Sequence, residues 1–332
     1  MSEISHIMLQ PKTKYKQIVN YVLNGINDGT LQKGGWLPSV NEFRMLFNVS
    51  RETVFAGLAE LKAKGLIDSC AGKGCYVTGM QARVEKNIFM LFNEMNAFKQ
   101  TLYNAFVSGL KADDTFNIQF HNYNRKVFEV LLREANGHYD TFVLMPGKFK
   151  GLKPLLDSLS GRVLLLDHCH QELKDAFGGV VQNFEADTYN ALISGEAKLQ
   201  RYTSFYMVQS DAKEPYERYY GMERFCEERG KRHRYLNSLR GRTINEGDLF
   251  MVADDTDLVT LLKSAAAQRL TPGQEFGVIS YNDTPLKAIL AGGITTLSTD
   301  FAQMGRTMAV LIRKQTKGVI DNPCKLVIRA SI

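Results

Sequence analysis

The chain has 332 residues, 44% of them apolar, and a formal net charge of +6; nine Lys and Arg against six Asp and Glu in residues 1–80 make the positive excess densest at the front. That length allows two or three domains with sizeable cores. There is no run of about 18 apolar residues and no apolar N-terminal segment, which argues against a membrane span and a signal peptide.

In chain order, Tyr15, Ile18, Val19, Val22 and Ile26 recur at helical spacing and predict a first amphipathic helix. The stretch GTLQKGGWLPS breaks it with glycines and a proline. Ser39-Val40-Asn41-Glu42 has the S-x-x-E form of a capping box and opens a short second helix with a stripe of Phe43, Leu46 and Phe47. FNVS connects tightly to a third helix, N-capped by Ser50, with Val54, Leu58 and Leu61 on its core face. Leu66-Ile67 and Cys75-Tyr76-Val77 predict two short strands around the turn AGKG. Three helices and a glycine-tipped hairpin make a winged helix-turn-helix, which presents the start of its third helix to the DNA major groove. There Arg51 can reach phosphate or guanine, Ser50 and Thr53 are short donors, and Lys73 at the wing tip can reach the adjacent backbone.

Residues 12–79 resemble the GntR family of DNA-binding domains. The family pattern LPS-x-x-E-L, VSR-x-TV and G-x-G-x-[FY]-V is met here by LPSVNEF (37–43), VSRETV (49–54) and GKGCYV (72–77). The resemblance implies that Ser39, Ser50, Arg51, Thr53 and Gly72 lie at the DNA, and Asn41 stands where many relatives carry arginine. Phe55 also departs from the basic or polar residue common in relatives.

TGMQARVEK is polar and aperiodic, so residues 80–86 are expected to link an N-terminal domain (1–79) to the rest (87–332). Beyond it, NIFMLF, FNIQFHNY, YDTFVLMP and RVLLLD read as strands, separated by helical AFKQTLYNAFVSGL, KVFEVLLREA and FKGLKPLLDSL. The alternation restarts with strand TSFYMVQS, helix EPYERYYGMERFCEERG, a short strand around 235–239, strand DLFMVAD, helix DLVTLLKSAAAQRL, strand FGVISYND and helix PLKAIL. Strand-helix alternation predicts parallel sheets, and the restart predicts two α/β lobes meeting at a cleft. Residues at the strand ends would face that cleft: Asn93-Glu94, Asn122-Tyr123, Asp167, Gln209-Ser210, Asp254-Asp255 and Asn282-Asp283. Amides and carboxylates suit a polyol, and Phe98 and Phe301 could cover an apolar sugar face.

The segment FGVISYNDTPLKAILAGGITTLSTDFAQMG, with DLFMVADD and Asn96-Ala97-Phe98, is similar to the lactose-repressor and type I periplasmic-binding-protein superfamily. That resemblance implies effector contacts from Phe98, Asp167, Arg218, Asp254, Asn282, Thr299 and Phe301, and dimer contacts from the two-lobed domain. Ala97 replaces the usual proline, and the Asp254/Asn282 pair is inverted relative to many relatives.

The cysteines at 70, 75, 169, 226 and 324 are odd in number and carry no zinc spacing. A reduced, cytoplasmic protein is expected. His168-Cys169-His170 offers two histidines on one side of an extended chain, without evident further ligands, so neither metal nor cofactor is expected. The fold class is therefore an α+β winged helix-turn-helix followed by an α/β two-lobed body. The function expected is a non-enzymatic transcriptional regulator, a repressor of sugar-utilisation genes. It would bind double-stranded operator DNA as a homodimer and answer to a monosaccharide. A GntR head on such a body resembles the fucose-operon repressors of Bacteroidales, which makes L-fucose the first candidate. The contrasting readings are an aminotransferase-type body, which lacks length and a Schiff-base lysine motif here, and a helical metal-sensing body, which the strand-rich alternation opposes.

Overall fold

A computed structural model of the chain describes residues 14–78, 86–211, 213–314 and 318–332. Of the expected linker 80–86, only Lys86 is among them. The described residues fall into two compact units. The first holds those up to Ile88 with Asp113–Phe116 and Glu134–Asp140, and the second holds Phe89–Ala112, Asn117–Arg133 and Thr141–Ile332.

In the first unit, helices α1 (Tyr15–Asp28), α2 (Val40–Phe47) and α3 (Arg51–Ala63) precede strands β1 (Ile67–Cys70) and β2 (Gly74–Val77). The capping box forms as read: Ser39 Oγ accepts from Glu42 N at 3.3 Å, and the Glu42 carboxylate accepts from Ser39 N at 2.6 Å. Asn48 ends α2 in the left-handed region (φ 48°), which lets α3 start only three residues later. Ile18, Val22, Phe43, Val54, Leu61 and Val77 form the core, all at most 2% exposed. Leu46 is not in the stripe predicted for α2; it is 58% exposed. Phe43 and Phe47 share the face that meets the Tyr21 ring (centroids 6.0 and 5.6 Å), and at 100° per residue Leu46 stands about 80° off its centre. The wing pairs β1 and β2 antiparallel, with Gly72 (φ 74°) and Gly74 (φ 108°) in a region that side chains disfavour. Residues 34–37 add further backbone bonds to β2.

Two six-stranded sheets lie almost wholly in the second unit. Their strands are β3 (Asn87–Phe92), β4 (Thr115–Phe120), β5 (Thr141–Leu144), β6 (Arg162–Asp167), β7 (Gly178–Val181) and β13 (Val319–Asp321) in one lobe. The other has β8 (Ser204–Val208), β9 (Arg232–Leu236), β10 (Asp248–Val252), β11 (Gly277–Tyr281), β12 (Thr295–Thr299) and β14 (Cys324–Val327). The spatial orders are β13-β7-β6-β5-β3-β4 and β14-β12-β11-β10-β8-β9. β10 and β11 are buried throughout, as apolar runs in a parallel sheet covered on both faces should be. Two of the elements read from the sequence differ in extent, and β7, β13 and β14 lie in segments not read as strands. The helix expected across FKGLKPLLDSL is only Lys153–Asp157, with Pro154 in its first turn. β9 spans Arg232–Leu236 rather than 235–239: RHRYL is a half-exposed edge strand, so its sequence carries little apolar signal.

The chain passes between lobes at 182–183, 300 and 322–323, and these passages are tied together. Asn322 N donates to Val181 O (2.8 Å), Asp300 N to Pro323 O (2.9 Å) and Asn322 Nδ2 to Asp300 O (3.1 Å). After the second passage, helix Phe301–Leu311 packs on α4 (Ala97–Ser108) so closely that a Cβ on Gly305 would sit 2.2 Å from Leu102 O.

Candidate nucleic-acid interface and ligand cavity

The start of α3 is built from its own polar side chains. Ser50 Oγ accepts from Thr53 N at 3.3 Å and lies 3.1 Å from Thr53 Oγ1. Ser39, Asn41, Ser50, Arg51, Gly72 and Lys73 are exposed and Thr53 is half-buried. The Arg51 and Lys73 side chains make no hydrogen bond or ion pair among the described residues. Phe55, one turn after Arg51, is 53% exposed. A helix N-terminus with a free guanidinium, short hydroxyl groups and an exposed ring can meet phosphate, base edges and a thymine methyl.

Within the second unit a cavity of about 270 Å³ opens between the lobes. Strand ends of both sheets line it, and several turn there through left-handed backbone: Asn122 (φ 45°) beside it, and on its wall Tyr123 (φ 57°), Asp167 (φ 72°) and Asn282 (φ 61°). Non-glycine residues in that region cost energy and concentrate at functional sites. Lys287, 2% exposed, fixes the last of these turns: its ammonium donates to Tyr281 O (2.6 Å) and Asn282 O (2.9 Å) and pairs with Asp255 at 2.8 Å.

The Phe98 and Phe301 rings stack at 5.5 Å on the apolar side. Opposite them Arg218, 5% exposed, lies between Phe184 and Tyr281 (4.7 and 4.4 Å from the ring centroids) and pairs with Glu214. Asp167 accepts from Gln182 Nε2, and Gln182 Oε1 in turn accepts from Thr299 Oγ1 at 2.6 Å. A chain of hydrogen bonds thus runs from the cavity wall to the interlobe passage. Contacts also span the mouth: Lys213 with Glu94 at 3.3 Å, Lys148 with the Glu214 carbonyl, and His168 with Glu217 at 3.4 Å. The hydrogen bond from His168 holds the Glu217 carboxyl down at about 2.

Of the seven residues expected at an effector, Phe98, Asp167, Arg218, Asn282 and Phe301 come together on this cavity. Thr299 does not line it; it stands behind Gln182. Asp254 does not line it either. Its carboxylate accepts from Thr256 N (2.7 Å) and Asp257 N (2.9 Å), capping helix Asp255–Ala267. A strand-end acid can serve the ligand or the next helix, and here Asp254 Oδ1 takes both backbone N–H groups of the helix. Sequence reasoning missed Lys99, Lys213 and Glu214, which lie outside strand ends, and Gln182, which directly follows β7, a strand it did not read. His168 pairs with Glu217 and His170 Nε2 with Lys148 O (2.8 Å) rather than with each other. Among the described residues the side chains close enough to share a metal ion are instead Glu223, Glu227 and His233, with ligand atoms within 4.8 Å of one another.

Residues 14–77 match the model for bacterial regulatory proteins of the gntR family, and residues 197–332 match that for a periplasmic binding protein-like domain. The chain joins a GntR-type head to a periplasmic-binding-protein-like body. The mannosyl-D-glycerate transport/metabolism system repressor MngR of Escherichia coli is 35% identical over 80 residues, 24% of this chain and 32% of that protein. The uncharacterized HTH-type transcriptional regulator YdfD of Bacillus subtilis is 41% identical over 64 residues, 19% of this chain and 13% of that protein. These matches therefore span under a third of either relative. Solved structures extend the likeness of fold. A LacI family transcriptional regulator from Silicibacter pomeroyi has TM-score 0.62 at 15% identity, over 74% of this chain and 98% of its own. A periplasmic binding protein/LacI transcriptional regulator from Alkaliphilus metalliredigens, complexed with D-xylulofuranose, has TM-score 0.59 at 12% identity over 74% and 99%. The relatives and neighbours named here are regulators, in line with the non-enzymatic expectation. Among the described residues no helix is long and apolar enough to cross a membrane.

Proposed function

We propose that this chain is a cytoplasmic, sugar-responsive transcriptional repressor. Residues 1–79 read operator DNA, 80–86 connect, and 87–332 bind the effector and form the homodimer. Ser39, Asn41, Ser50, Arg51, Thr53, Gly72 and Lys73 meet the DNA. A single winged module offers little contact area, so two on a roughly palindromic operator are required. Phe98, Asp167, Arg218, Asn282 and Phe301 hold a monosaccharide, with L-fucose first among those to be tried. The cavity's size favours a small ligand: at about 270 Å³ it lies just below the ~300–1,000 Å³ usual for ligand pockets.

The observation that carries the regulatory reading is the hydrogen-bond chain Asp167–Gln182–Thr299, which links the cavity wall to a passage between the lobes. A ligand that engages Asp167 differently in two lobe arrangements shifts their balance; coupling of about 1–3 kcal/mol is typical of such switches. The test has two arms. Operator sequences selected from random DNA by the purified protein should be released when the effector is added. A thermal-shift panel of monosaccharides should identify it, because a ligand at 100 times its dissociation constant stabilises by about 2.7 kcal/mol. Selection of no sequence, or of one by an Arg51→Ala variant equally well, would refute the DNA arm. A blank sugar panel would refute the effector arm.

A further inference from the structure

We propose that Lys99 is a ligand-contacting residue, and that it shares with Asp167 one hydroxyl group of the carbohydrate in the cavity. This rests on the sugar reading above and goes beyond it by naming a cation that neither motif carries.

Lys99 is placed where a cation is costly. It is 6% exposed, in the first turn of α4, where Asn96 Oδ1 accepts its backbone N–H at 3.0 Å. The positive end of a helix repels a cation. Its ammonium has three donors but bonds one side-chain oxygen, Asn93 Oδ1, which already accepts from Glu94 N at 2.9 Å. A second cation stands close by: Lys99 and Lys213 lie 6.0 and 5.4 Å from the centroid of the same ring, Tyr123. Fold stability asks for none of this, and burial holds the Lys99 ammonium below the ordinary lysine range.

What the position does supply is a donor that lines the same cavity as an acceptor, Asp167. Asp167 is the strongest anionic influence on Lys99, with Glu94 and Glu214 behind it, yet no ion pair joins Lys99 to Asp167 among the described residues. One oxygen of Asp167 accepts from Gln182. A ligand hydroxyl completes both groups at once, accepting from the ammonium and donating to the carboxylate. A carbonyl or ether oxygen would serve only Lys99, and a ligand ammonium only Asp167. The groups around Lys99 are Glu94 after β3, Tyr123 and His121 after β4, Asp167 at the end of β6, and Lys213 and Glu214 from the second lobe. The carboxylates favour its charged form, and Lys213 opposes it.

The full-length protein, Lys99→Met and Lys99→Arg are compared by calorimetry with the neutral monosaccharide that most stabilises the wild type. Lys99→Met should weaken binding on the order of 10–100-fold, the scale of one lost charge-assisted hydrogen bond. Its melting temperature should equal or exceed that of the wild type. Wild-type affinity should fall as pH rises through the depressed Lys99 pKa, and the Lys99→Met and Lys99→Arg profiles should stay flat there. Equal binding by Lys99→Met overturns this proposal alone. So does a Lys99→Met protein that melts well below wild type, which would make Lys99 structural. If no neutral monosaccharide stabilises the wild type, the sugar reading fails and this one with it.

Discussion

The start of α3 and the cavity around Asp167 use similar side chains in opposite ways. At α3 the capping groups serve the helix itself, and the Arg51 guanidinium is left to solvent. In the cavity charges are engaged, whether buried, as Arg218 with Glu214 and Asp167 with Gln182, or exposed, as Lys213 with Glu94. An uncommitted surface cation can be removed at little cost to folding, so its loss reports on binding alone. An engaged, buried one cannot be separated from the fold, and its loss reports on both.

The largest effect tests the second half of that contrast. Arg218→Ala leaves Glu214 without its partner and removes the guanidinium stacked between Phe184 and Tyr281. It should cost roughly 3 kcal/mol in thermal unfolding and abolish the sugar response. Arg51→Ala tests the first half. Operator affinity should drop by about 1–3 kcal/mol in a fluorescence-anisotropy titration, with the unfolding free energy changed by less than ~0.5 kcal/mol.

Asp187, near the first interlobe passage, sharpens the comparison because its Oδ2 is buried with no partner. Burial lifts its carboxyl from 3.8 to about 6, so folding favours the protonated acid. That stability is full below pH 3.8 and is lost as pH rises through about 6. Asp187→Asn should therefore stabilise the protein by about 1–2 kcal/mol at pH 8 and scarcely at all at pH 4. Smallest of all, Lys73→Ala should lower the salt slope of operator binding by about 0.9, one phosphate contact, and leave sequence preference intact.

The first unit was legible because its signals are local. Ser39 and Glu42, three residues apart, announce their own reciprocal bonds, and VSRETV carries cap, cation and core position in six consecutive residues. The cavity draws on segments from Asn93 to Phe301. Phe98, Asp167, Arg218, Asn282 and Phe301 were readable because they sit in strand-end or family motifs. Lys99 was not, because on a helix its spacing is that of an ordinary solvated lysine; only the folded chain buries it. Asp254 shows the reverse: its motif position is right, but it stands off the cavity with one oxygen capping the next helix. Thr299 was misplaced by one layer, behind Gln182.

The close seating of Gly305 on α4 has a consequence for how the molecule is made. The lobe that begins with β3 needs helix Phe301–Leu311 against α4 and β13 at its sheet edge, both encoded some two hundred residues later. During synthesis, therefore, the earlier-translated lobe waits, with the apolar flank of α4 bare, until residues 301–321 have left the ribosome. A nascent chain arrested near residue 300 should be a good chaperone client, and release of residues 301–321 should end that dependence.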